Sequence, residues 1–480
     1  MVYGKQSLQR GVRKQIALSV TVGLALGAYL IGLSAADLPA DWFALLILAI
    51  TLPAVAVVAR DIKRFLLALI MLDMSLSLDA KLFRHPADVS VVVDGLMISL
   101  TTISLIILYI LWAAEILAAN ARINLFRSIS LPALGFITAG LISVYNAKDP
   151  VLSWFELALY CEFFLVFLYL ANHIQKPDDI VFVTWVLLAG FLIVSLSVIA
   201  MQFIGDVRFM GLGSDTFEMA AVGLVRSGGF LKHPNGAATY LMSLSMVALA
   251  ILLTNSTTGL GRLIILVALA LGFVALILTF SRGGWLSLAV AGTFFALLAS
   301  HRRWLRWQHL ILLVVVLGLF IFLFHEPIWF RIFGDDQGSA SSRMPLNIIA
   351  LNMIRSHPWN GVGINNFMVV VQDYHTPATF GAWLSPVHNK YLLVWSETGT
   401  LGILFLIWFY LAICKTALMA WKRGDPTISL LALGFLAAIV GRTAHMSVAR
   451  FDSRAQGLLL WTFAGIIAAI GNLDGRLKAS

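Results

Sequence analysis

The sequence predicts an all-α, polytopic integral membrane protein. Three observations carry that expectation: an apolar composition, hydrophobic runs of bilayer-spanning length, and a one-sided distribution of Lys and Arg between them. The 480 residues are 60% hydrophobic and 12% charged, and the mean hydropathy is +0.91. Soluble domains carry about 25% charged residues. A soluble core cannot absorb this much apolar surface, whereas a bilayer can.

A helix crosses the hydrocarbon with about 20 apolar residues. Runs of that kind occupy 15–35, 42–59, 65–83, 95–118, 129–145, 153–172, 180–204, 236–254, 262–281, 284–300, 307–325, 388–420, 428–446 and 455–472. The weakest are 65–83, which carries Asp73 and Asp79, and 153–172, which carries Glu156 and Glu162. The expected number of transmembrane helices is therefore about 12–14.

Loop charge sets the orientation. Lys5, Arg10, Arg13 and Lys14, then Arg60, Lys63 and Arg64, Arg122 and Arg127, Lys176, Arg262, Arg302, Arg303 and Arg306, Lys422 and Arg423, and Arg476 and Lys478 all fall on one side. The positive-inside rule makes that side cytoplasmic, with both termini there. Removing the two weakest spans as a pair leaves this parity unchanged. The net charge of +9 is explained by these loops, and no separate basic domain speaks for a nucleic-acid partner. The basic start followed by an apolar run reads as a retained first helix, since no small-residue cleavage site stands out and further spans follow at once. Cys161 and Cys414, far apart in apolar segments, build neither a disulfide framework nor a zinc spacing.

Five regions result: transmembrane helices over 1–204, an outer loop at 205–235, further transmembrane helices over 236–325, a large outer loop at 326–387, and C-terminal transmembrane helices over 388–480. The large loop is rich in Gly, Pro, Asn, His and Trp. Within it Ser341 and Ser342 stand before a helical pattern with Leu346, Ile349, Ala350 and Met353 on one face, ended by Arg355-Ser-His-Pro.

The outer loops hold the residues suited to chemistry. Arg226 lies in Arg-Ser-Gly-Gly-Phe-Leu-Lys-His-Pro-Asn, with Lys232 close behind, and Arg282 lies in Ser-Arg-Gly-Gly-Trp between two spans. Arg343 begins the loop helix, where free N–H groups already favour an anion. The bland alternatives are a snorkelling Arg282 and solvated Arg226 and Arg343. Against them, guanidinium groups match phosphate oxygens bidentately, and glycine pairs let a backbone or a phosphate approach. Together the three arginines suit a diphosphate that stays attached to a lipid.

His388 stands at the mouth of a span beginning His-Asn-Lys-Tyr, with Asn389 and Tyr391 beside it. At helical spacing His388, Tyr391, Leu392, Trp395 and Gly399 share one face, while Glu397 falls about 180° away unless the helix breaks near Thr398–Gly399. Arg442 is a candidate partner for Glu397. Histidine titrates near neutrality and suits proton transfer; a structural interfacial histidine is the alternative. His85, His173 and His301, at loop ends, read as interfacial. Trp154, Trp329, Trp359 and Trp383 read as an interfacial belt, with sugar stacking as the other possibility.

Absences point the same way. The sequence has no Asp-x-Asp pair (Asp335 and Asp336 are adjacent), no His-Glu-x-x-His and no Walker loop. No cofactor or metal is expected, and the donor must carry its own leaving group.

These motifs resemble the O-antigen ligase/polymerase superfamily, O-antigen ligases above all. The matching pieces are Arg226-Ser-Gly-Gly-Phe with His233-Pro-Asn, Ser281-Arg-Gly-Gly, the stretch from Arg343 through His357-Pro-Trp-Asn-Gly-Val-Gly-Ile-Asn-Asn-Phe, and His388-Asn-Lys-Tyr-Leu with Glu397-Thr-Gly, within about 220–402. The resemblance implies a membrane glycosyltransferase of GT-C-like type. Such enzymes move a glycan from undecaprenyl diphosphate to a lipid A–core sugar at the periplasmic face, with inversion and without metal. It implies His388 as general base, Arg226 and Arg282 as catalytic holders of the diphosphate, and Arg343, Lys232, Tyr391 and Asn389 as substrate-binding residues. An O-antigen or exopolysaccharide polymerase and a protein O-oligosaccharyltransferase share these motifs. A transporter or flippase is the rival from another class, with Asp73, Asp79, Glu115, Glu156 and Glu162 as its intramembrane acids.

Overall fold

The structure is a computed structural model that describes residues 61–85, 93–119, 123–125, 127–204, 217–219, 224–254, 257, 259–304, 325–326, 329, 343–379, 385–423, 425–450 and 453–476. The spans expected at 15–35, 42–59 and 307–325 lie outside the described residues, as do most of the loop at 205–235 and Ser341–Ser342.

The chain folds as an all-α polytopic membrane protein. The helices are α1 (Ile62–Leu76), α2 (Leu100–Ala119), α3 (Arg127–Ser143), α4 (Pro150–His173), α5 (Pro177–Ile204), α6 (Pro234–Leu252), α7 (Leu260–Leu278), α8 (Arg282–His301), α9 (Arg343–Ser356), α10 (Phe367–Val370), α11 (Lys390–Arg423), α12 (Pro426–Met446) and α13 (Arg454–Arg476). Among the described residues, ten are long and apolar enough to cross a membrane: all but α1, α9 and α10. Their bounds fall within a few residues of the spans read from hydropathy. Several starts are written in the sequence. Asp149 and Asp425 each accept two backbone N–H groups ahead of a proline, at α4 and α12, satisfying donors a helix start leaves open.

One span needs correction. The apolar run at 65–83 is not one helix. It stops at Leu76, where Ser77 turns left-handed with φ 50° and returns its N–H to the Asp73 carbonyl. Residues Asp79–Leu82 (β1) then pair antiparallel with Leu96–Ser99 (β2). Hydropathy averages over the turn and both strands, so it cannot see the change of direction.

The interior is formed by α6, α12 and α13, which are buried along most of their length. Close approach there depends on small residues: a Cβ on Gly434 would lie 2.5 Å from Ala250 Cβ, and one on Gly465 would lie 2.9 Å from the Phe167 carbonyl oxygen. By contrast Leu260, Leu263 and Leu266 on α7, and Ile106, Ile110 and Leu117 on α2, are exposed as in a lipid-facing surface.

Three of the four acids that weakened two spans, Asp73, Asp79 and Glu162, are in ion pairs. Arg454 at the start of α13 bonds to Asp73 of α1 and lies 3.4 Å from Glu162 of α4. Asp73 Oδ2 also accepts from Thr101 N at 3.0 Å and Thr101 Oγ1 at 2.6 Å, and Glu162 Oε2 accepts from Thr102 Oγ1 at 2.8 Å. Asp79 pairs with Lys232 and Glu115 with Lys63. Buried charges survive when compensated in this way, and four of the five acids that a transporter reading relies on are engaged in ion pairs.

Helix ends sort into two groups. Lys63 bonds to Glu115, Arg64 Nη2 reaches Asp179 at 2.8 Å, and Arg302 donates to the carbonyls of Trp421 and Lys422. One end of the bundle thus holds Lys63, Arg64 and Arg302 of the basic loops. The motif residues lie at the other.

Candidate functional site

Four sequence segments far apart in the chain meet around the C-terminal end of α12. The first is the stretch before α6. Its glycines are needed for shape. A Cβ on Gly228 would lie 2.5 Å from the His233 carbonyl carbon, and Gly229, at φ +59°, would drive one to 2.3 Å from Ser197 Oγ of α5. The chain therefore doubles back tightly, and the space beside Gly229 is filled by α5. His233 caps α6, its Nδ1 accepting from Asn235 N at 3.2 Å. Arg226 then reaches across to the turn between α7 and α8. Its Nε donates to the Thr279 carbonyl at 2.9 Å and its Nη2 to Asn235 Oδ1 at 2.6 Å.

The second segment is that turn, Thr279-Phe280-Ser281. Phe280 is buried and left-handed at φ 48°, a conformation a bulky residue holds only where its surroundings fix it. Ser281 caps α8 by accepting from Gly284 N at 3.2 Å, and donates to the same Asn235 Oδ1 at 2.9 Å. Arg282 is the first residue of α8, next to Ser281, which shares the Asn235 Oδ1 acceptor with Arg226. The glycines after Arg282 seat the helix: a Cβ on Gly283 would lie 2.8 Å from the His445 ring, and one on Gly284 would lie 2.5 Å from Ala238 Cβ.

The third segment is α9. Its buried residues Leu346, Ile349, Ala350 and Met353 are the face expected from periodicity, joined by Ile354. They pack with Val362, Phe367, Met368, Val371, Val387 and Leu393 into a small core of the loop's own. Arg343 opens this helix, and its Nη1 lies 3.5 Å from the Val448 carbonyl, just past the end of α12.

The fourth segment is the start of α11. The helix begins at Lys390 rather than at His388, because Asn389 is its cap: Asn389 Oδ1 accepts from Tyr391 N at 3.0 Å and Leu392 N at 3.2 Å. His388 is half-buried in the bend just outside. Lys390 N donates to the Ala449 carbonyl at 3.1 Å, and Tyr391 Oη to the Thr443 carbonyl at 2.9 Å. Asn389 is thereby occupied in capping α11, and Tyr391 in holding it against α12. Lys232, exposed, pairs with Asp79 at 3.6 Å.

The end of α12 is the hub. His445, buried, bonds through Nδ1 to Thr239 Oγ1 at 2.8 Å, and Thr239 Oγ1 is 3.0 Å from the Asn235 carbonyl. Sequence reasoning passed over Asn235 as the tail of His-Pro-Asn and did not consider Thr239 or His445. The one available signal was the polar pair Arg442 and His445 inside an otherwise apolar span.

Glu397 does not reach Arg442 in any bond described. Its Oε1 accepts from Phe367 N at 3.1 Å, while Arg442 Nε is 3.4 Å from Tyr410 Oη. The helix does break, at Gly399, with φ +68°. The segment His357–Phe367 threads this break. Val362 N donates to Ser396 O at 2.9 Å, Gly363 N to Glu397 O at 3.0 Å, and Thr400 N to Pro358 O at 2.8 Å. On its other side Asn366 bonds to Asp149 and Ser153, and Asn365 to Val93 and Leu152. With Ile364 N donating to Ser143 Oγ at 3.0 Å, the Asn-Asn-Phe and Glu-Thr-Gly motifs fasten the loop to α3, α4 and α11.

Comparison with known proteins agrees with the resemblance read from the motifs. Residues 265–407 match a family model described as O-antigen ligase, a stretch that holds Arg282, Arg343 and His388 but not Arg226. An O-antigen ligase of Salmonella typhimurium strain LT2 is 29% identical over 166 residues, covering 32% of this chain; the match spans 40% of that relative's length. Among solved structures, a chain from one titled "Structural coordination of polymerization and crosslinking by a peptidoglycan synthase complex" aligns over 72% of this chain and 97% of its own length. The identity is 16% and the TM-score 0.40, too low to bear on the argument.

Proposed function

We propose that this chain, whose residues 265–407 match the O-antigen ligase family, transfers a glycan from undecaprenyl diphosphate to a lipid A–core sugar at the periplasmic face of the inner membrane. The observation that carries this reading is the convergence of Arg226, Arg282, Arg343 and the His388 bend on the end of α12, through Asn235, Ser281, Val448 and Ala449.

In this reading the arginines face the diphosphate of a donor whose prenyl chain stays in the bilayer. His388 takes the proton from an acceptor hydroxyl as its oxygen attacks the anomeric carbon. The bond from that carbon to the diphosphate oxygen breaks on the opposite side, so configuration inverts and undecaprenyl diphosphate departs with the bonding electrons. Arg226 and Arg282 offset the charge growing on it, which is worth most where water is scarce. Arg282 is the first residue of α8, and Arg226, at the end of a short strand, donates to Asn235 in the first turn of α6; helix starts add their own partial positive charge. No metal is assigned a part.

The test is reconstitution of the purified protein with an undecaprenyl-diphosphate glycan and lipid A–core, with and without a chelator. Lipid A–core bearing the glycan, formed equally in both conditions, is the expected product. Growth of the glycan on undecaprenyl diphosphate instead identifies a polymerase. Movement of the donor across vesicles with no bond made identifies a flippase.

A further inference from the structure

We propose that a cavity at the basic end of the bundle, away from the motif residues, seats a phospholipid whose head group carries both a phosphate and an ammonium, as phosphatidylethanolamine does. The positive-inside rule assigns that end to the cytoplasm.

Five helix ends meet there. Around a cavity of about 470 Å³, α1 and α5 begin, and α2, α4 and α13 finish. That is the size of a small-molecule site, and span ends mark the depth at which lipid head groups lie. The α2 helix, which gives Trp112 and Glu115 to the wall, presents Ile106 and Ile110 outward. The cavity thus borders a lipid-facing surface, and Leu67, Trp112 and Val183 supply an apolar side to its wall.

The charges around it are balanced. Lys63, Arg64 and Lys176 share the wall with Asp61, Glu115 and Asp179. Lys63 is matched to Glu115 of α2, and Arg64 to Asp179 of α5. A zwitterion enters such a ring by exchange. Its phosphate joins the cations, where Arg64 offers planar donors, and its ammonium joins the acids. Trp112 precedes Glu115 by one helical turn, so the ammonium meets an indole and a carboxylate together. A purely anionic head group leaves the acids with nothing to bind.

Tyr169 is an independent sign of a ligand. It is 1% exposed and stands in the cavity wall, stacked on His173 with ring centroids 3.8 Å apart. Among the described residues its Oη has no hydrogen-bond partner. Buried hydroxyls are nearly always bonded, and a phosphate oxygen is an acceptor for this one.

The test uses the full-length protein, delipidated in detergent, with bound lipid read by native mass spectrometry. Phosphatidylethanolamine and phosphatidylglycerol of identical acyl chains are offered, and glycerophosphoethanolamine as the head group alone. The wild type is expected to hold phosphatidylethanolamine several-fold more tightly than phosphatidylglycerol, and glycerophosphoethanolamine far more weakly than either. Tyr169→Phe should leave the melting temperature of the lipid-free protein unchanged. It should weaken phosphatidylethanolamine about tenfold, the scale of one hydrogen bond to a charged group. Glu115→Gln should remove the preference for phosphatidylethanolamine over phosphatidylglycerol. Wild-type affinity in Tyr169→Phe overturns the proposal, as does a wild-type protein that holds phosphatidylglycerol equally well. Glycerophosphoethanolamine bound as tightly as the lipid overturns it too, and assigns the cavity to a soluble zwitterion. If Glu115→Gln does not fold, Tyr169→Phe and the wild-type comparison decide.

Discussion

Gly361 packs so closely on Glu397 that a Cβ added to Gly361 would lie 2.3 Å from the Glu397 carbonyl oxygen. The relation is returned two residues on, where a Cβ on Gly399 would lie 2.2 Å from the Trp359 carbonyl oxygen. Loop and helix are keyed to each other by two residues without side chains, each at φ +68°. The loop that carries α9 and Arg343 is held to α11, just below His388, through this key.

Gly399→Ala and Gly361→Ala therefore disturb both backbone conformation and contact. A left-handed residue with a side chain costs about 1–3 kcal/mol, and the overlap with backbone atoms adds to that. Each variant is expected to lose at least about 3 kcal/mol of stability. Thermal denaturation in detergent, followed by size-exclusion recovery, measures it; Ala variants as stable as the wild type would show that the key is not formed.

Glu397 acts in the fastening as an acceptor for Phe367 N. Glutamine still offers a carbonyl oxygen there, and alanine offers none. Glu397→Gln should remain folded and active, while Glu397→Ala should cost about 1–3 kcal/mol by leaving a buried N–H unsatisfied. Protease protection of the 357–367 segment reports it. Equal protection in both variants goes against this role, and loss of activity in a folded Glu397→Gln would assign Glu397 a chemical one.

Arg454 balances Asp73 and Glu162 inside the helix bundle. Removing it strands two carboxylates, so Arg454→Ala is expected to destabilise by about 3–5 kcal/mol. Replacing all three residues by apolar ones of similar volume (Asp73→Leu, Glu162→Leu, Arg454→Met) should recover most of that loss. A triple variant weaker than Arg454→Ala refutes the compensation argument.

For activity, His388→Ala should lower turnover about 10²–10⁴-fold, the usual yield of a general base. Arg282→Ala should harm it at least as much, because charge stabilisation in a water-poor site usually contributes more. Cells carrying either variant, correctly inserted, that still build full-length surface polysaccharide refute the assignment.

The parts of the molecule governed by local pattern were legible in the sequence. The buried face of α9 follows from helical spacing of Leu346, Ile349, Ala350 and Met353, and ten spans follow from hydropathy. What pattern cannot see is a change of backbone direction inside an apolar run, so Ser77 and the strands after it were taken for helix. For the same reason Asn389 displaced His388 from the first turn of α11. The arginines stood out in the sequence because a cation beside a span is costly. The acceptor shared by Arg226 and Ser281, Asn235 Oδ1, did not. Asn235 and Ser281 are 46 residues apart, and nothing in either segment names the other. Helical projection set Glu397 apart from His388 and named no sure partner for it; the structure supplies Phe367 N.

The Asp73–Arg454–Glu162 cluster also bears on how the chain is made. Its carboxylates belong to helices translated early, and its guanidinium to the last described helix, 381 residues after Asp73. Neither α1 nor α4 can settle against hydrocarbon with a bare carboxylate at little cost, so each must wait, at the insertion machinery or against polar neighbours such as Thr101 and Thr102, until α13 emerges. Settling of α1 and α4 then depends on the arrival of α13. A ribosome stalled before Arg454 should leave the early helices extractable by alkaline carbonate, whereas one stalled after α13 has cleared the exit tunnel should not.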